Sequence, residues 1–172
     1  MRFVILLCFL AAASHGQTET PHIKAAKGAY DAGKAAQRDK QFQRASNLFR
    51  KAIEIEPTFV DAHEGLISTY LESGRRLDAA ASITQFLEMR PDSIQYRLLL
   101  GQMLLEQKQA ARALAQFSEV LRKEPFNADG LLGFAAAAKR MDMQDRATEA
   151  IDRGRKRYPH DERFRDTSSS EH

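Results

Sequence analysis

Residues 94–127 read IQYRLLLGQMLLEQKQAARALAQFSEVLRKEPFN, and the stretch before them, 60–93, reads VDAHEGLISTYLESGRRLDAAASITQFLEMRPDS. Laid one above the other, Pro91 and Pro125 coincide, as do Ala79 with Ala113 and Ile83 with Phe117. The register runs on in both directions without insertion: Pro57, Pro91, Pro125 and Pro159 are each 34 residues apart, and so are Ala45, Ala79, Ala113 and Ala147. Phe49, Ile83, Phe117 and Ile151 form a third column in the same step. A fixed period of this length marks a stack of similar units, each burying its apolar face on its neighbours.

Each proline stops a helix, because its ring clashes with the preceding turn and it offers no amide hydrogen. Thr58, Asp92 or Ser93, Asn127 and Asp161 follow the prolines, and their side-chain oxygens can accept from the free amides of the next helix. The spacings Leu48–Ala52–Ile55 and Leu114–Phe117–Leu121 are helical, and no stretch alternates with period two. The reading is therefore all-α, with helices near 24–39, 42–55, 60–73, 76–89, 94–107, 110–123, 128–141 and 144–157. Residues 161–166 can add one or two turns, and 162–172 form a short polar tail.

The first sixteen residues stand apart from the array. One arginine, Arg2, precedes an apolar run from Phe3 to Ala13, and Ser14 and Gly16 are small, which is the three-part layout of a cleavable secretory signal at 1–16. The run makes a helix of about 16 Å, roughly half of a ~30 Å hydrocarbon core, so an uncleaved membrane anchor is the poorer reading and no integral span is expected after cleavage. Cys8 is the single cysteine and leaves with the leader, so the exported chain, periplasmic or secreted, has neither thiol nor disulfide. Residues 17–25 are a lead-in.

Lys plus Arg total 26 against 23 Asp plus Glu, a balance of +3 that falls to +2 without Arg2. That is too little, and too scattered, for a phosphate-neutralising face, so no nucleic acid is expected as a partner. The run Arg153 to Arg157 has only Tyr158 beside it; at the end of the last helix it reads as a polar, solubilising cap. His22, His63, His160 and His172 have no second His or Cys at three or four residues' distance, so no metal site is expected. The serines lack a strained elbow and the glycines a phosphate-loop pattern, so neither catalysis nor a cofactor is expected. His63 reads as a packed or hydrogen-bonded core residue.

These columns resemble the tetratricopeptide repeat family, in units 26–59, 60–93, 94–127 and 128–161. The resemblance implies a right-handed α-solenoid of antiparallel helix pairs. Position 20 of a unit is small in the family and is always Ala here; position 8, also small, is Gly33, Gly101 and Ala135 but departs at Ile67, which should push its helix pair apart. At position 11, Tyr70 and Leu104 in the middle units face Ala36 and Ala138 in the outer ones, so the ends should pack more thinly.

The family lines a concave groove with positions 2, 5, 9, 12 and 13 of each first helix. Carried over, Tyr30 and Lys34 sit in a basic zone, Glu64 and Ser68 in an acidic one, and Leu71, Gln95, Leu98, Gln102, Leu105 and Leu132 form or flank an apolar centre. Whether those leucines are site or core is open, since an apolar stripe serves either purpose. The set with which some members grip chaperone carboxylates is missing: its positions hold Tyr30, Lys34, Gly65, Gln95 and Leu99. The implied function is a non-catalytic scaffold that binds a peptide or partner subunit. Its rivals are a self-associating structural protein, through an under-capped C-terminal end or the groove, and an accessory module of an envelope enzyme complex.

The leader makes a direct prediction. N-terminal sequencing of exported protein should find a start near Gln17, and a retained Met1 in a membrane fraction would replace the cleaved form with an anchored one.

Overall fold

The computed structural model describes residues 20–165; the leader expected at 1–16, and the tail beyond residue 165, lie outside the described residues. Eight helices follow one another: α1 (Pro21–Arg38), α2 (Phe42–Ile55), α3 (Val60–Glu72), α4 (Arg76–Met89), α5 (Ile94–Glu106), α6 (Ala110–Lys123), α7 (Ala128–Arg140) and α8 (Gln144–Arg157). A short 3₁₀ turn, Glu162–Phe164, comes last. Each helix packs on the next, giving an all-α solenoid, and among the described residues there is no strand. Only α1 begins well outside its expected range, because the Thr20 hydroxyl accepts from the Ile23 amide at 3.4 Å and Pro21 occupies the first turn, where its missing N–H costs nothing.

Both kinds of corner repeat with the period. Every first helix ends in a Schellman motif: the amides of Gln41, Arg75, Gln109 and Met143 donate to Ala36, Tyr70, Leu104 and Ala138 at 2.8–2.9 Å. The residue before each donor is left-handed, with φ of 57° at Lys40, 73° at Gly74, 59° at Lys108 and 58° at Asp142. At the other corner, the amides of Phe59, Ser93, Asn127 and Asp161 donate to Glu56, Arg90, Glu124 and Tyr158 at 2.9–3.1 Å, closing turns with proline in second place, where its fixed φ is an advantage.

The expected caps hold at two corners only. Asn127 accepts from the Gly130 amide at 2.8 Å, and Asp161 from that of Arg163 at 3.0 Å. Thr58 instead donates to Glu56, Asp92 pairs with Lys123, and Ser93 makes no capping bond. Two larger side chains tie these corners down: His63 donates through Nε2 to the Pro57 carbonyl at 2.9 Å, and Arg97 to that of Pro91 at 2.9 Å. His63 is buried, as expected.

The core is continuous, and its register is set by side-chain volume. Phe49 and Phe117 are fully buried. A β-carbon added at Gly33 or Gly65 would stand 2.9 or 2.6 Å from the Phe49 ring, and one at Gly101 or Gly133 would stand 2.7 or 2.3 Å from Phe117. Each ring thus occupies space left by one glycine in its own unit and one in the next. Between them the column holds Ile83, and the corresponding neighbours are Ile67 and Leu99 instead of glycines. Large side chains fill this seam from several sides, Phe86 and Tyr96 among them with ring centroids 4.6 Å apart. The backbones of α3, α4 and α5 accordingly approach less closely than those of the outer pairs, as Ile67 predicted.

The C-terminal end corrects the expectation of a bare polar cap. Phe164 is 1% exposed, and a β-carbon at Gly154 would lie 2.0 Å from its ring. Arg155 is only half-exposed: it donates to the Phe164 carbonyl at 3.3 Å and pairs with Asp152. Arg153 donates to the Pro125 carbonyl at 2.6 Å. The tail therefore contains a plug, and these arginines hold it and the neighbouring corner.

Gly133→Ala should destabilise the array by about 1–3 kcal/mol through overpacking, read from urea denaturation. In a Phe117→Ile background, which copies the second unit, the same change should cost at least about 0.5 kcal/mol less. Additive effects would refute the volume match.

At the left-handed corners, Gly74→Ala should cost about 1 kcal/mol where a β-carbon meets φ of 73°, while Lys108→Gly should leave stability unchanged or raised in the same assay. A loss at Lys108 equal to that at Gly74 would mean the corner is not strained.

Candidate functional site

The first helices α1, α3, α5 and α7 carry the residues expected in the groove, and the structure sorts them into three groups. Tyr30 and Lys34 from α1 and Glu64 and Ser68 from α3 converge with Gln37, Asp61 and Gly65 on a pocket of ≈ 270 Å³. They converge because positions one and two turns apart on one helix face the same positions of its neighbour, one unit away.

Part of this pocket is already satisfied internally. Gln37 Nε2 donates to the Ser68 hydroxyl at 3.0 Å and to Glu72 at 2.5 Å, and Ser68 donates to Glu72 at 2.8 Å. This ladder stitches α1 to α3, so Gln37, Ser68 and Glu72 serve the scaffold first. Tyr96 from α5 hydrogen-bonds Glu64; burial, then the Glu64 charge and that bond, push its hydroxyl up to about 12. The phenol therefore stays neutral beside Glu64. Lys34 and Asp61 are both exposed.

Leu71, Leu98, Leu105 and Leu132 form the second group. All four are half-buried and packed against the core. Each is thus held by the core on one side and partly exposed on the other. Gln95 and Gln102 are exposed beside them.

The third group closes the groove at its edge. Arg76 pairs with Glu106, and Arg140 donates to the Leu105 carbonyl at 2.7 Å, each bond joining one unit to the next. Glu106 and Arg140, which occupy position 13 of their units, are thus structural links. Asp129, at position 2 of its unit, pairs with Arg163 of the terminal 3₁₀ turn at 2.7 Å.

Two neighbouring cavities escaped the sequence reading. One, of ≈ 330 Å³, lies between Val60, Glu64, Phe86, Met89 and the Pro91 corner. The other, of ≈ 490 Å³, opens at the N-terminal end over Tyr30 and Phe59. Both use corner residues after the helix-ending glutamate or arginine, which groove positions counted on the first helices alone leave out. Among the described residues no group of three His, Cys, Asp or Glu could hold a metal ion, and no helix is long and apolar enough to cross a membrane.

Comparison with known proteins places this geometry. Residues 65–128 match the sequence profile of the tetratricopeptide repeat. The human protein O-mannosyl-transferase TMTC3 is 28% identical over 106 residues, 61% of this chain; the chain spans only 12% of that relative's length. Among solved structures, the MamA protein superposes with a TM-score of 0.68 at 20% identity, covering 79% of this chain and 74% of that one. MamA from Desulfovibrio magneticus RS-1 gives 0.67 at 17%, over 81% and 79%. YrrB, described as a TPR protein with an unusual peptide-binding site, gives 0.66 at 20%, over 81% and 72%. At these identities the structures speak for the fold. Residues 65–128 therefore carry the tetratricopeptide repeat pattern, and the array of interlocked helix pairs as a whole has the fold of these solved structures.

Proposed function

We propose that this protein is a non-catalytic scaffold of an exported compartment that holds an extended or helical segment of a protein partner along the face lined by α1, α3, α5 and α7. The observation that carries this reading is the convergence of Tyr30, Lys34, Asp61 and Glu64, from consecutive units, on one open pocket, with half-buried leucines elsewhere on the first helices. The scaffold needs no rearrangement to present them, because the Gln37–Ser68–Glu72 ladder and the Arg76–Glu106 pair already fix the spacing of the helices. A preformed surface loses little conformational entropy on binding. That YrrB is described as having a peptide-binding site adds weight to the same reading. Burial of Phe164 covers the end on which head-to-tail self-association would rest, which favours a separate partner over a second copy.

A photo-crosslinker at Gln102 or Gln95, both exposed on this face, should yield an adduct with a partner in the native envelope, whereas one at Arg112 on α6 should yield none. Leu98→Asp with Leu132→Asp should abolish that adduct, since a carboxylate buried under a ligand is costly. Gln102→Lys, a change at an exposed site, keeps the test valid if the double variant loses its fold. Adducts from Arg112 and not from Gln102 would move the interaction to the second helices.

A further inference from the structure

The cavity at the N-terminal end is built differently from the rest of the face. Its floor is aromatic and aliphatic: the rings of Tyr30 and Phe59 meet with centroids 5.1 Å apart, Ala26 is buried beneath them, and Ile23 stands 44% exposed at the edge. Tyr30 in turn lies against the buried Phe49 ring, 5.8 Å away, so the floor is anchored in the core. At ≈ 490 Å³ the space is within the usual range for a ligand site.

The rim is acidic. Asp31, Glu56 and Asp61 line the opening, with Lys27 the one cation among the lining residues. Glu56 is held below the usual carboxylate range by the Thr58 hydroxyl and then by the Thr58 amide, so it is ionised at neutral pH. Tyr30 and Asp61 also line the ≈ 270 Å³ pocket, so the two spaces adjoin, and the second adds Glu64 and Lys34. Across the two, four carboxylates stand against two lysines.

This arrangement selects by charge. A neutral apolar ligand would draw the carboxylates out of water without compensation, and an acidic one would be repelled. A cation placed beside an apolar side chain satisfies both floor and rim, and the ring faces of Tyr30 and Phe59 add their own attraction for it.

We propose that this end of the face takes a cationic peptide segment, seating one large apolar side chain on Tyr30, Phe59 and Ala26 while flanking lysines or arginines meet Asp31, Glu56 and Asp61. The proposal rests on the peptide-binding reading above and names the chemistry of its ligand.

The probe is a labelled heptapeptide with a central phenylalanine flanked on each side by two lysines, followed by fluorescence anisotropy with the full chain. It should bind, and replacing its lysines by glutamates or its phenylalanine by alanine should weaken binding at least about tenfold. Raising the salt concentration should also weaken it, since the rim is exposed. Asp31→Lys with Asp61→Lys, both at exposed sites, and separately Ile23→Asp should each weaken it by about tenfold or more, whereas Arg112→Gln, on α6 and off this face, should leave it unchanged. Equal binding of the lysine and glutamate peptides, or indifference to both the charge reversal and Ile23→Asp, would overturn the proposal. So would sedimentation showing self-association that Ile23→Asp and Leu77→Asp abolish, which would assign the pocket to the exposed Leu77 of a second copy. If the peptide fails while the Gln102 adduct persists, this proposal falls and the scaffold reading stands; if the adduct is lost as well, both fall.

Discussion

The volume that one side chain brings to the seam between units governs the rest of this structure. A helix pair of this kind has too little apolar surface to stand alone, so stability comes from how tightly successive pairs interlock. Phe49 and Phe117 achieve that by entering gaps that glycines leave on both sides, in Gly33 and Gly65 and in Gly101 and Gly133. Close packing tolerates neither an unfilled gap nor an extra methyl group. The centre of the array follows a different solution, with Ile83 among larger neighbours and more widely spaced backbones. Phe164 repeats the device a last time against Gly154, so a single turn after the last helix seals the core.

From that spacing the chemistry of the exposed face follows. Where α1 and α3 are close, short side chains can bridge them, and the Gln37–Ser68–Glu72 ladder does so. Longer side chains also link units, as Arg76 with Glu106 and Arg140 with the Leu105 carbonyl. Residues used in this way gain little from a ligand, because their hydrogen bonds are already made. Tyr30, Lys34, Asp61, Gln95 and Gln102 make none of these links, and the leucines keep a partly exposed side. The rim near Phe59, with Asp31, Glu56 and Asp61, makes one end of that face acidic.

Much of this was legible without coordinates. The proline, alanine and aromatic columns carried the number, order and limits of the helices, because a helix stop and a close helix crossing each demand a particular residue type at a particular place. Tyr30, Lys34, Glu64 and Ser68 came together where counting along the repeat put them. His63 was read as a core residue for the same reason. By contrast, Thr58 and Ser93 look like caps and are not, since His63 and Arg97 reach the proline carbonyls from the next helix and hold those corners instead.

The amino-acid sequence by itself determined the helices, their pairing and the faces they turn to one another, because those depend on short-range backbone chemistry and on a period that repeats. Tertiary structure alone decided which polar residues are committed. Whether Glu72 or Arg140 meets a ligand or a neighbouring helix depends on distances between side chains about 35 residues apart, which no local pattern encodes. It also decided that Ile67 costs spacing and not fold, that Phe164 is a plug in a tail that reads as polar, and that Ile23 and Phe59 share a cavity. In each case the outcome rests on the combined volume of residues from different units, and that sum is settled only when the units are stacked.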